Sequence, residues 1–268
     1  MNPSPQNKYL NAVLWVALLA LLAAPAFAET PEEKGLAIAV EADHRNDGFG
    51  DSSSTMQMIL RNKQGEESKR EIRSRTLETK VDGDKSMIVF DQPKDVAGTA
   101  LLTYTHKKAD DDRWLYLPAV KRVKRIASSN KSGPFMGSEF AYEDLGSQEP
   151  EKYTYKYLRD EAVDGKDCFV FERFPKDSDS GYTRQVVWMD KAEYRPFKME
   201  YYDRKQSLLK TLVLTDYGHY LDKYWRPGKH DMVNHQTGKS TTLIFSNYKF
   251  RNGLKERDFD QNALQNAR

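Results

Sequence analysis

Cysteine is nearly absent from this chain. Cys168 is the only one in 268 residues, so an intramolecular disulfide is excluded. Its setting, DCFVFERF, reads as a buried strand. Catalytic signatures are missing as well: the sequence has no phosphate-binding loop, GxSxG, HExxH, CxxC or calcium loop. Neither charge dominates, because 42 Lys and Arg against 40 Asp and Glu leave a net +2. That balance gives no general case for nucleic-acid binding. There is no strand–helix alternation, heptad run or internal repeat. The apolar run at residues 10–24 is too short for a membrane span.

That run reads instead as an export signal. Lys8 precedes it, and Pro25 and Ala26-Phe27-Ala28 follow in an A-x-A cleavage pattern. Cleavage is expected after Ala28, with residues 1–28 removed and 29–268 forming one domain in the periplasm. No Cys follows the run, so the chain is not expected to be a lipoprotein itself. The remaining 240 residues, having lost Lys8, hold 41 basic and 40 acidic side chains, a net +1. Aromatics make up 12% of the chain, with 15 Tyr and 12 Phe, which favours strands.

One helix is expected near the start. Thr30 stands as N-cap before Pro31, Glu32 and Glu33 fall in the first turn, and Gly48 and Gly50 end it. Leu36, Ile38, Ala39, Val40 and Ala42 give it an apolar side. After Ser52 the pattern is of strands joined by turns, at residues 56–62, 68–78, 86–90, 99–106, 114–117, 120–127, 152–161, 168–174, 182–190, 196–203, 208–220, 225–235 and 240–250. A Gly/Pro/Ser loop at 128–138 leads into a short helical piece at 139–145, and the tail 254–264 is left as strand, coil or short helix. Consecutive strands with short turns pair antiparallel, and so many of them curl strongly. The fold class is therefore mainly β: an open, strongly curved antiparallel sheet, an incomplete barrel with a few covering helices.

Chemistry-bearing clusters are sparse. His219, His230 and His235 are candidates for a metal site, yet positions 230 and 235 point to opposite faces of a regular strand. No metal and no cofactor are expected. Ser52–Ser54 and Ser128–Ser129 read as polar turn residues, and no enzymatic activity is expected. The run Lys121, Arg122, Lys124 and Arg125 has two readings. It is a docking patch for lipid phosphates or an acidic partner, or an edge strand protected by charge from aggregation. An aromatic and methionine set is expected to line an adaptable apolar cavity, with Trp114, Phe135, Met136, Tyr155, Trp188 and Met199 as the contacts.

The segment WLYLPAVKRVKRI followed by SGPFMGSEFAYEDL resembles the outer-membrane lipoprotein-sorting proteins of the LolA-like superfamily, in the branch found in Gram-negative bacteria and spirochaetes. GLAIAVEADHRNDGFGD near the start and LTDYGHY and FRNGLKERDFDQNAL near the end fit that branch. The resemblance, which covers most of the chain from Pro31 onward, implies an open β-barrel with helices over its mouth and a hydrophobic cavity for acyl chains. It implies a periplasmic carrier or chaperone for lipids or lipoproteins moving toward the outer membrane. Members of the branch also resemble accessory partners of RND-type transporters. A periplasmic adaptor that binds no lipid is therefore the alternative. A hydrolase with a scattered site and a surface-exposed module remain as lesser readings.

Overall fold

The computed structural model describes residues 28–267. The apolar run and, apart from Ala28, the expected cleavage signal lie outside the described residues.

The alternating segments form strands β1 (Asp51–Arg61), β2 (Glu67–Leu77), β3 (Lys85–Gln92), β4 (Ala100–Tyr104), β5 (Asp112–Leu117) and β6 (Arg122–Ile126). Then come β7 (Tyr153–Val163), β8 (Lys166–Pro175), β9 (Tyr182–Asp190), β10 (Pro196–Asp203) and β11 (Leu208–Thr215). Short β12 (Gly218–Tyr220) and β13 (Tyr224–Arg226) precede β14 (Lys229–Asn234) and β15 (Ser240–Phe250). Thirteen strands make one antiparallel sheet in the order β6-β5-β4-β3-β2-β1-β15-β14-β11-β10-β9-β8-β7. The first and last strands of the chain's sheet, β1 and β15, pair in its middle over nine partner positions, from Ser52↔Phe250 to Arg61↔Ser240.

The sheet does not close into a barrel, because its edges β6 and β7 are not paired with each other. They are consecutive in sequence, so residues 127–152 must travel from one edge to the other. This strap crosses the concave face. Arg70 of β2 donates to Met136 O at 2.6 Å, Glu139 N donates to Thr241 of β15, and Asn234 of β14 donates to Glu139 Oε2 at 2.7 Å. Further along, Tyr182 of β9 donates to Asp144 at 2.9 Å. Lys210 of β11 is buried with Asp144 at 3.5 Å and donates to Glu139 O and to the Tyr182 hydroxyl. The expected helical piece at 139–145 is one 3-10 turn, Tyr142–Asp144.

Apolar groups cover both faces. The concave core joins Met58, Ile72, Phe90, Phe135, Phe140, Phe171, Val187 and Met232. On the convex face, Met87, Val89, Ala100 and Leu102 are capped by Phe259 and Leu264 of the tail. That tail is a 3-10 turn, Glu256–Phe259, followed by helix α2 (Gln261–Gln265), whose N-cap Asp260 accepts from Ala263 N. A separate convex cluster holds Cys168, Val170, Val186 and Trp188.

The first helix, here α1 (Pro31–Asn46), has Glu32 and Glu33 in its first turn and His44 and Arg45 in its last, each complementing the helix dipole. Gly48 and Gly50, at φ 91° and 79°, lead the chain out of it. The helix packs on β7 through Gly35, where a Cβ would stand 2.9 Å from Tyr157 N. This contact sets the buried side and corrects the expected one. Ile38 is buried, while Leu36 and Val40 are 46% and 48% exposed. No helix among the described residues is long and apolar enough to cross a membrane.

Candidate functional site

The curved sheet, the strap and α1 enclose a cavity of about 930 Å³. Its floor is made by inward residues of most strands of the sheet, including Met56 and Met58, Ile88, Tyr155, Phe171, Val187 and Met189, Met199, Leu214 and Leu243. Phe135, Phe140 and Leu145 enter from the strap, and Ala39 and Ala42 from α1. A flap that reads in the sequence as the adjoining ends of two strands, 208–220 and 225–235, closes another side. Asp216 and the Pro227-Gly228 turn cut those strands short, and the residues between fold as the β12–β13 ribbon. Tyr217, His219, Tyr224, Trp225 and Arg226 of this flap line the cavity. Lys223 and Tyr224 donate to Asp47 O, which fastens the flap to the end of α1.

The mouth is charged. Asp43 of α1 and Asp84, just before β3, line it, and buried Glu149 of the strap acts on both. Burial, reinforced by the Glu149 charge, pushes Asp43 up to about 6 and Asp84 up to about 7. The Arg226 guanidinium lies 5.4, 5.7 and 5.5 Å from the ring centres of Phe49, Tyr224 and Phe250, and burial pulls its pKa down. Deeper in, burial pushes His230 down to about 4, against the pull of Asp231, so the imidazole is neutral at pH 7. The Tyr155 hydroxyl, also pushed up by burial, donates to Pro150 O at 3.2 Å. The site thus offers apolar burial inside and hydrogen-bonding groups at its entrance. A second groove of about 670 Å³ runs between residues 77–85 and 254–256, beside Tyr104 and His106.

A protein from Vibrio parahaemolyticus, described as an outer membrane lipoprotein-sorting protein domain, matches at TM-score 0.86 and 59% identity, over 87% of this chain and 99% of its own. A DUF1329 family protein from Desulfovibrio piger matches at TM-score 0.83 and 32% identity, over 88% of this chain and 99% of its own. The chain belongs to the DUF1329 family. A family model that describes its members as uncharacterized proteins matches residues 82–266. A LolA superfamily protein from Nitrosomonas europaea shares the fold at TM-score 0.69 and 21% identity, over 85% of this chain and 98% of its own. No curated protein matches. The LolA-like resemblance read from residues 113–145 is thus met by family and fold alike.

Within this DUF1329 fold, the expected cavity contacts separate. Phe135, Tyr155 and Met199 line the cavity. Met136 packs against the same concave core, held at φ 49° in the strap. Trp114 and Trp188 sit on the opposite face, which corrects their placement. Trp114 lies in the tail-covered cluster, edge-on to Tyr104 at 5.0 Å, and Trp188 lies beside Val170 and Val186. The four cations belong to the β6 edge and do not line the cavity. Lys121 occupies the turn before the strand, at φ 50°. Arg122 and Lys124 pair with Leu117 and Leu115, which places them on the concave side. Arg125 pairs with Trp114 on the convex side and forms an ion pair with Asp112.

The histidines do not converge. His235 bonds Thr211 at 2.7 Å, His219 stacks on Trp225 at 4.4 Å, and His230 faces the concave core between Phe140 and Phe245. No group of three potential metal ligands occurs among the described residues. Sequence reasoning missed Asp43, Asp84 and Arg226 as mouth residues. The one available signal was the Pro227-Gly228 pair, which breaks the strand beside Arg226.

Proposed function

We propose that this DUF1329 protein is a periplasmic carrier that holds the acyl chains of a lipid or lipoprotein in its concave cavity, for transfer toward the outer membrane. The observation that carries the reading is the cavity of about 930 Å³ with its methionine, aromatic and aliphatic floor. A protein cavity of about 150 Å³ takes up benzene. Scaled on that basis, this one has room for roughly forty carbon atoms, more than one long acyl chain. Burial stabilises a bound chain by about 0.8 kcal/mol per CH₂. Methionines such as Met56, Met58, Met189 and Met199 adapt to different chains because they are unbranched and polarizable. The lipoprotein-sorting description of the Vibrio relative supports the same reading, and the export signal read at residues 1–28 supports the compartment.

The test is displacement of a fluorescent fatty acid by lysophospholipid and by a triacylated peptide. Both should compete in the wild type, and Met199→Trp, which fills part of the cavity, should weaken binding by tenfold or more while leaving the far-ultraviolet circular dichroism unchanged. Absence of probe binding by folded wild-type protein would sink the proposal.

The adaptor of an RND-type transporter is the second reading. It is favoured by one observation: Arg122 and Lys124 are exposed on a short edge strand. Binding of lipid phosphates would use the same cations. If the adaptor reading holds, the folded wild-type protein should take up no acyl chain, and reversing both charges should abolish transporter capture.

A further inference from the structure

His230 is the unexplained group in the cavity. It sits in an inward row that crosses four strands: Leu214, His230, Leu243 and Met58 are successive partners in the sheet. All four line the cavity. The imidazole packs against Phe245 at 4.8 Å and Phe140 at 6.5 Å.

Several other polar groups on the concave floor are bonded to protein. Lys210, Asn234 and Thr241 bond the strap, and Arg173 bonds Gln185 and Gln148. Two buried side-chain polar atoms lack a partner among the described residues, Nε of Arg113 and Nε2 of His230. The Arg113 guanidinium is still bonded through another nitrogen to Asp111. His230 therefore stands out as a polar ring with a buried, unpaired nitrogen in an otherwise apolar row. A leucine there would continue the row without leaving a hydrogen-bonding atom unpaired, so the histidine is costly unless something bonds it.

We propose that His230 is the polar contact of the acyl cavity, and that it exchanges a hydrogen bond with an uncharged polar group carried within the acyl part of the ligand. The favoured ligand is then a hydroxylated or internally ester- or amide-linked chain rather than a plain hydrocarbon one. A neutral imidazole holds one donor and one acceptor, so it matches a hydroxyl in either sense and an ester or amide carbonyl as donor. An ionised group is a poor match, because this pocket disfavours charge even on the histidine itself. The inference rests on the carrier reading.

The test is competitive displacement of a fluorescent fatty acid by octadecanoate and by a positional series of 3-, 9- and 12-hydroxyoctadecanoate, in the wild type and in His230→Leu. At least one hydroxylated chain should bind the wild type roughly tenfold more tightly than octadecanoate. That preference should vanish in His230→Leu, with affinity for octadecanoate kept or improved. Equal binding of every chain by the wild type overturns the inference and leaves the carrier reading standing, as does a preference that survives in His230→Leu. Failure of every chain to bind overturns both. Should the variant not fold, the wild-type series alone decides.

Discussion

Replacing Asp84 by Asn should stabilise the protein at alkaline pH and leave it nearly unchanged in acid. Asp84 is partly buried and meets three carboxylates, those of Glu149, Glu78 and Asp43. Burial, the largest cause, and these charges raise it from 3.8 to about 7. A folded-state pKa raised above the unfolded one favours the folded state below the unfolded pKa, and that advantage is lost as pH rises through the folded value. Wild-type protein therefore loses this stability between about pH 4 and pH 7. At about 1.4 kcal/mol per pH unit, a rise of roughly three units sets a ceiling near 4 kcal/mol, and relaxation of the loop makes about 2 kcal/mol the expected gain at pH 8. Asn keeps the oxygen that accepts weakly from Thr79 N at 3.4 Å, so the exchange removes the charge and little else. For a domain of this size the gain corresponds to about 4–8 °C in Tm. Urea unfolding of both proteins at pH 5, 6.5 and 8 reads the difference directly. A stability difference that does not grow with pH, or a loss at pH 8, refutes the view that the mouth holds carboxylates together at a cost.

Gly35→Ala should weaken the seat of α1, because the new Cβ stands 2.9 Å from Tyr157 N and backbone cannot yield cheaply. A loss of about 1–2 kcal/mol is expected despite the better helix propensity of Ala, with faster amide exchange confined to residues 31–46. Lys210→Met leaves buried Asp144 without its cation and should cost about 3 kcal/mol, seen as a lower urea midpoint and easier proteolysis within the strap. Acyl-chain affinity should rise about fourfold for each added methylene until the cavity is full and then level off; calorimetry on C10 to C18 chains would show a flat series if the chain lies on the surface.

The strand series was readable because each strand carries its own alternation and turn residues. The covering segments also announced themselves, α1 through its acidic first turn and the strap through its Gly/Pro/Ser composition. Which way each strand faces was not readable, and the reason is physical. Alternation identifies the core only when one face is wet, and here the convex face carries two apolar clusters of its own. Trp114 and Trp188 belong to those clusters, while Tyr155 and Met199, equally apolar in sequence, face inward. Irregularities at Ser53/Thr55, Tyr157/Arg159 and Pro196/Lys198 reset the parity as well. The mouth was hidden for another reason. Asp43, Asp84 and Arg226 come from three elements far apart in sequence and meet only when the sheet has curled. His230 was visible only as a metal candidate, because an unpaired ring in an apolar wall is a property of the packed state.

Native mass spectrometry of protein purified from the periplasm, with lipid extraction of the same sample, tests the central claim most directly. The account predicts a stoichiometric acyl-bearing ligand that leaves on mild activation. A clean apo mass, together with no uptake of added lipid or acylated peptide, contradicts it.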